Sequence, residues 1–273
     1  MGARLSGESE GAEGIVVIQV GFKFRTERVI CRFSCGAASA VATKLAIEKY
    51  GKVEIYYNET GSHHADNLRM MDDCSRWFGQ EIEVLRSQNF KDTWEVFEER
   101  QYLVGHNGAP CTSELKRIPG DSVWQFGDVE IFGYTADEAG RVQRFQEDNP
   151  ERIIESPLIA KGITKADCLK AVTAVGIALP TMYLLGFRNN NCIACVKARD
   201  SIDYWKRTRK YFPDEFWRMA KLERKFNFAI NRVTVNGVRT AVFLDEIEPG
   251  DPKGVDQSVA CGLFCGTDEK ETV

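Results

Sequence analysis

The stretch between residues 27 and 51 constrains this chain most. A short run of β-formers, ERVICRF, meets a small-residue turn at Ser34-Cys35-Gly36. It then passes into AASAVATKLAIEKY, whose apolar residues recur at helical spacing and stop at Gly51. A second strand is expected at 53–57, a helix at 66–78 and a third strand over Ile82–Leu85. Strands alternating with helices at this pitch predict an α/β protein with a doubly wound, mainly parallel sheet.

Beyond the third strand, residues 92–102 read as a helix, and the loop VGHNGAPC introduces Cys111. A further core strand is expected at 129–134, a charged helix at 137–147 and an amphipathic one at 165–175. The run Asn189-Asn190-Asn191 is a turn that delivers Cys192-Ile-Ala-Cys195 to the start of a helix. Residues 196–226 read as helical with a break at Pro213. Asn236-Gly237, flanked by VTV and VRTAVFL, is a type I′ hairpin signal. The expected organisation is a lead-in over 1–26, a nucleotide-binding α/β domain over 27–188, and a Cys-containing helical and β-hairpin appendage over 189–273.

Length and charge agree with this. A chain of 273 residues suits one α/β domain with a small appendage. Its net charge of −4 argues against general coating of nucleic acid and leaves room for a local basic face. The most apolar stretch, 168–187, is interrupted by Lys170, Thr173, Pro180 and Thr181, so it reads as buried helix and turn rather than a membrane span. The first fourteen residues hold no apolar signal core, and the expected compartment is cytoplasmic.

Nine cysteines in such a chain call for a reason other than structural disulfides. Cys31, Cys74 and Cys168 fall inside apolar patterns and read as small core residues. Cys35, Cys111, Cys192, Cys195, Cys261 and Cys265 lie at turns or in pairs.

The turn Ser34-Cys35-Gly36-Ala37-Ala38-Ser39 is built of small residues at a helix N-terminus, where backbone N–H groups and the helix dipole favour an anion. Plain packing is the other use of such a turn. Its sequence resembles the SGGxDS pyrophosphate loop of the adenine nucleotide α-hydrolase group, which includes PAPS reductases and ATP pyrophosphatases. Cys35 replaces a Gly, and Ala38 stands where ATP-cleaving members carry Asp. Glu59-Thr60-Gly61 is similar to the group's (D/E)TG, and His63 and His64 follow it as loop or nucleotide contacts. The segment from Pro110 to Pro119 resembles a CC-x-x-x-K-x-x-P motif, retaining Cys111 and Lys116 and placing Pro110 at the first Cys. The stretch from Gly133 to Arg141 is similar to G-x-R-x-x-E-x-x-R, with Glu138 and Arg141 kept and Tyr134 in place of the first Arg. Ala260-Cys261-Gly262-Leu263-Phe264-Cys265 resembles ECGLH, with Cys265 additional.

These motifs identify the chain as resembling a divergent iron–sulfur-type member of the PAPS reductase family. The resemblance implies an adenine nucleotide α-hydrolase-like fold and a nucleotide site at Ser34, Cys35, Gly36, Ala37, Ser39, Glu59, Thr60, Gly61, Gly133 and Glu138. It implies a metal centre on Cys111, Cys192, Cys195 and Cys265, a 4Fe-4S cluster in the first instance and zinc as the lesser possibility. Cys261 would be the nucleophile, with Lys116 and Arg141 holding the anion; in a second assignment Cys261 is the fourth ligand. The activity implied is reduction of an adenylyl sulfate to sulfite, with a thioredoxin-like donor and a homo-oligomeric enzyme. An ATP-dependent sulfurtransferase acting on nucleic acid is the alternative, and a non-catalytic nucleotide-binding protein a third. The basic residues of 197–225, interleaved with Tyr204, Trp205, Tyr211 and Trp217, would meet a nucleic acid or form a solvated helix face over buried aromatics.

Overall fold

A computed structural model describes residues 28–106, 108–235 and 237–253. Cys261, Cys265 and the 1–26 lead-in lie outside the described residues. The chain begins with β1 (Val29–Phe33), α1 (Ala37–Tyr50), β2 (Glu54–Asn58), α2 (Asn67–Phe78) and β3 (Ile82–Leu85). It continues through α3 (Thr93–Arg100), α4 (Pro110–Thr112), a π-helical turn (Ser113–Arg117) and α5 (Ile118–Val123). Next come β4 (Val129–Ile131), α6 (Ala139–Asp148), β5 (Ile153–Glu155), α7 (Pro157–Ala160), α8 (Lys165–Ala174) and α9 (Thr181–Leu184). Last are α10 (Ile202–Tyr211), α11 (Pro213–Phe226) and the strands β6 (Asn231–Val235) and β7 (Val238–Val242).

The main sheet runs β3-β2-β1-β4-β5, every neighbouring pair parallel. The α/β expectation therefore holds. β1 is buried along its whole length, as a central parallel strand covered on both faces must be. Its side chains divide by alternation. Val29, Cys31 and Phe33 join a core with Ala37, Ala40 and Val41 of α1, and with Met70, Cys74 and Cys168. Ile30 packs on the other face with Tyr56 and Leu85, against Val123 of α5. The small side chains at the start of α1 let that helix lie close to the strands.

The other face also buries charge. Both Nε and Nη2 of Arg32 donate to Glu130 Oε1, at 2.8 and 2.5 Å, and Nη2 donates to the Gly120 carbonyl at 3.0 Å. The second Glu130 oxygen accepts from Arg152 Nη1 at 2.9 Å, and Arg152 Nη2 reaches Asp121 at 2.6 Å. Arg32, Glu130 and Arg152 tie β1, β4 and the start of β5 together away from water, and Asp121 joins them from the exposed side of α5. Buried charges persist only when paired and hydrogen-bonded in this way.

Two boundaries and one strand differ from the sequence reading. The fourth strand stops at Ile131 rather than residue 134, because the chain leaves the ladder to pass the start of α1. β5 went unread; it is a three-residue strand defined by its pairing with β4 rather than by its own pattern. Residues 196–201 are not helical: α10 starts at Ile202, capped by the Ser201 hydroxyl accepting from Tyr204 N. The break at Pro213 is as expected, with Pro at the first position of α11.

The hairpin β6–β7 is antiparallel, with Val235 paired to Val238; Asn236 of the expected turn lies outside the described residues. The C-terminal helices share one hydrophobic core with α3: Trp94 and Phe97 pack with Phe187, Trp205, Phe216 and Leu244. Glu223 of α11, fully buried, holds the start and the end of the hairpin region by accepting from Ile230 N and Leu244 N, both at 2.6 Å.

Burial pushes the Glu223 carboxyl up to about 7, with the two amide donors opposing the rise. Its folded value lies above the ordinary 4.5, so its contribution to stability is full below pH 4.5 and is lost as pH rises through 7. Glu223→Gln keeps one acceptor and turns an NH2 group toward the other amide. Urea denaturation of the variant is expected to show a loss of about 1–3 kcal/mol and a flatter pH dependence between those values.

Candidate functional site

The strand order reverses between β1 and β4, and open α/β sheets bind ligands at the carboxyl ends of the strands at such a point. A cleft opens there, about 110 Å³ in volume.

Ser34, Gly36, Ala38 and Ser39 line it from the β1–α1 turn. Ser39 Oγ accepts from Ser34 N at 3.1 Å and lies 3.0 Å from both Ser34 Oγ and the Gly36 carbonyl, which closes the turn. Ala37 N donates to the Tyr183 hydroxyl at 3.3 Å. Cys35 adopts φ +56°, the left-handed region that favours glycine, which accounts for the Gly it replaces in the resembling motif. Cys35 and Ala37 are themselves fully buried, so they shape the turn from beneath. Burial pushes the Cys35 thiol well above its ordinary 9.0, and the side chain stays a neutral thiol.

Gly133 follows β4 into the same cleft. A Cβ there would lie 2.6 Å from the backbone N and Cα of Ser39. Only glycine allows the chain after β4 to cross the first turn of α1 this closely. Glu138 and Arg141 also line the cleft, and they are paired with each other. Glu138 Oε2 accepts from Thr135 N and Thr135 Oγ1, each at 3.1 Å, so this carboxylate also caps the start of its helical turn. The Arg141 guanidinium stacks over the Tyr134 ring at 5.1 Å. Tyr134, at the place of a motif Arg, thus supports the cation that remains.

Glu59-Thr60-Gly61 does something other than line the cleft. Glu59 Oε1 accepts from Gly61 N at 2.8 Å, and Gly61 sits at φ +63° against the Lys91 carbonyl. The turn brings Thr60 Oγ1 to 3.1 Å from Cys192 Sγ and places His63 beside the same sulfur. His63 Nδ1 is 2.6 Å from the Tyr57 hydroxyl and 3.6 Å from Glu59 Oε1. The His63 hydrogen bond, opposed by burial, lowers the Glu59 carboxyl to about 2. Burial disfavours the charged imidazole, but Cys192 and Glu59 outweigh it and hold His63 at about 9. His64 instead presents Nδ1 to the Asp66 amide at 3.1 Å.

Cys111, Cys192 and Cys195 line one small cavity next to the cleft, with Thr60, Lys116 and Lys197. Cys111 comes from α4, whose Pro110 occupies the first helical position. Cys192 and Cys195 lie in a turn rather than at a helix start, because the chain folds back at Ala194 (φ +53°) and reaches α10 only at residue 202. The Tyr204 hydroxyl pins that turn, accepting from Cys195 N at 2.8 Å and donating to the Cys192 carbonyl at 3.4 Å. Three thiols on one largely apolar cavity fit sulfur-ligated metal in donor chemistry. Among the described residues, no three His, Cys, Asp or Glu side chains form a metal-holding group by themselves.

Lys116 lies in the π-helical turn, a geometry that recurs at functional sites, and lines both the cleft and the cysteine cavity. Other cleft residues carry no motif: Lys165, whose Nζ donates to Asn189 Oδ1 at 2.8 Å, and Tyr183, Arg32 and Asn58. Asn190, in the turn before Cys192, donates to the Cys35 carbonyl at 2.9 Å and to Asn67 Oδ1 at 2.7 Å. The Asn run announces a turn in the sequence, but its partners lie 123 and 155 residues away.

In the basic segment, Tyr204 and Trp205 are core residues and Arg207 is buried. Lys210 pairs with Asp251, and Arg224 with Asp245 and Glu246. Among the described residues no helix is long and apolar enough to cross a membrane.

Among solved structures, the chain is similar to a phosphoadenylyl-sulfate (PAPS) reductase from Candida auris in its phosphate complex. The TM-score is 0.47 at 13% identity, covering 62% of this chain and 82% of that one. No protein-family model and no curated protein matches the sequence.

Gly133→Ala forces the chain after β4 away from α1. Overpacking of this kind costs about 1–3 kcal/mol. The variant is expected to show a lower urea midpoint. An unchanged midpoint would show that the turn tolerates a Cβ.

Proposed function

We propose that the chain binds an adenine nucleotide in the cleft and carries out sulfur chemistry at the thiols beside it, with reduction of an adenylyl sulfate to sulfite as the reaction. One observation carries this reading: Lys116 belongs to the wall of both the cleft and the cysteine cavity. An anionic group reaching past the β1–α1 turn toward Lys116 comes next to sulfur. A cation at that junction supports an oxyanion and favours thiolate character nearby.

The turn of Ser34, Gly36 and Ser39 would hold nucleotide phosphate at the N-terminus of α1, with Arg141 facing it across the cleft. Ala38 lines the cleft where ATP-cleaving relatives of the motif carry Asp, which favours a reaction that leaves the α–β phosphate bond alone. Cys261 is the proposed nucleophile on its motif. Its thiolate attacks the sulfate sulfur, the bond from sulfur to the bridging phosphate oxygen breaks, and the nucleotide leaves. A dithiol carrier such as thioredoxin then attacks the Cys261 sulfur and is oxidised to a disulfide as sulfite departs. Cys111, Cys192 and Cys195, with Cys265, would hold a 4Fe-4S cluster, and zinc is the other metal that suits these donors. A bound cluster would supply a redox-active, charge-stabilising centre beside the anion.

Anaerobically purified protein is expected to contain iron and acid-labile sulfide, and serine at Cys111, Cys192 or Cys195 to abolish both. Sulfite release from an adenylyl sulfate with a thiol donor is the activity test. Lys116→Met is expected to lower it by about 10²–10³-fold, the usual effect of removing one oxyanion donor, while the circular dichroism spectrum is unchanged. Pyrophosphate release from ATP, stimulated by DNA or tRNA, would replace the reductase reading with that of a sulfurtransferase.

A further inference from the structure

Two buried polar atoms on the wall of the cleft make no hydrogen bond within the described residues: Arg32 Nη1 and Asn58 Oδ1. Arg32 is 4% exposed and Asn58 6%. Buried polar atoms are nearly always paired, so each of these calls for a partner. Neither residue belongs to the motifs of the nucleotide turn.

Their placement is related. Arg32 stands opposite Tyr56 in the β1–β2 register, and Asn58 follows Tyr56 by two. Side chains alternate along a strand, so Arg32, Tyr56 and Asn58 share one face of the sheet. The packing agrees: Tyr56 and Leu85, the partner of Asn58 on β3, lie in the core on that face. α1 lies on the opposite face, with Cys31 and Phe33. At the carboxyl edge of β1 and β2, then, two residues of the cleft wall carry an unpaired N–H donor and an unpaired carbonyl acceptor on the sheet face away from α1.

Arg32 is held for this. Its Nε and Nη2 are committed to Glu130 and the Gly120 carbonyl, and Glu130 is fixed on its other oxygen by Arg152. The guanidinium cannot swing, and the remaining nitrogen presents its N–H groups in a fixed direction. Lys116 lines the same cleft.

We infer that Arg32 and Asn58 form a ligand subsite in this cleft for a phosphoryl or sulfonyl oxyanion that sits next to a hydroxyl donor. Arg32 Nη1 donates to the oxyanion oxygen, and Asn58 Oδ1 accepts from the hydroxyl. The ligand is then gripped from both faces of the sheet edge, by the α1 turn on one and by this pair on the other. The inference deepens the nucleotide reading, because a nucleotide carries oxyanions and ribose hydroxyls together.

The test is calorimetric titration of the full chain with AMP, adenosine, inorganic phosphate and inorganic sulfate, in the parent, Arg32→Lys and Asn58→Asp. Arg32→Lys keeps a cation on Glu130 but loses the fork. Asn58→Asp lies outside the buried ion set and puts a carboxylate next to the oxyanion. Each variant is expected to bind AMP at least tenfold more weakly and adenosine within twofold of the parent. Whichever of phosphate and sulfate competes with AMP in the parent, and loses affinity in both variants, identifies the oxyanion. If Arg32→Lys does not fold, Asn58→Asp decides. AMP affinity within twofold of the parent in the folded variants overturns the inference, and so does an equal loss of adenosine. A parent that binds phosphate or sulfate in an Arg32-dependent way, but neither adenosine nor AMP, keeps the subsite and removes the adenine reading. A parent that binds none of the four overturns both.

Discussion

The backbone contact between Gly133 and Ser39 is the constraint from which the rest of the site follows. β1 and β4 are adjacent and parallel, and the chain leaving β4 must pass the first turn of the helix that leaves β1. Both segments stay close only because one contributes no side chain. The helix N-terminus is thereby kept at the edge of the crevice, with the Glu138–Arg141 pair a few residues further on. The crevice itself is a product of topology, since two parallel strands whose connections depart in opposite directions leave a gap between them.

Hydrogen bonds then join this crevice to the cysteine turn. Asn190 holds the Cys35 carbonyl and Asn67, Asn67 Nδ2 donates to the Tyr57 hydroxyl at 3.0 Å, and that hydroxyl meets His63. Ile193 N donates to the Ser62 carbonyl at 2.8 Å, fixing the cysteine turn at a second point. The turn carrying Cys192 and Cys195 is therefore registered against the ends of both β1 and β2. The cleft and the cysteine cavity are set side by side by side-chain amides and hydroxyls rather than by one continuous element.

What could be read in advance divides along the same physical line. The alternation of strand and helix was legible because each of the first three strands is an apolar run ended by a polar or small-residue turn. β5 was not, because three residues take their identity from a partner strand. The Ser34–Ser39 turn was legible from its small residues, and the Cys192–Cys195 pair from its spacing. Their adjacency was not, since it depends on Asn190 reaching back across the fold. Glu59-Thr60-Gly61 matched a motif, yet its observed part is to seat His63 and Thr60 by a thiol. Arg32 gave no signal: a lone charge in an apolar strand has meaning only once Glu130, 98 residues on, lies beside it.

Placement sorts the described cysteines into two populations, four packed in the core of the sheet and three on a cavity wall. Desolvation raises Cys31 and Cys74 to about 12 and Cys168 to about 11, and Cys35 is raised well above its usual value. Those four sulfurs are packing material, and alkylating reagents and peroxides that need a thiolate find little of it there. Cys111, Cys192 and Cys195 instead border a cavity with two lysines on its wall. Among the described residues, the fold thus gathers three of seven sulfurs at one address and spends the other four on filling space.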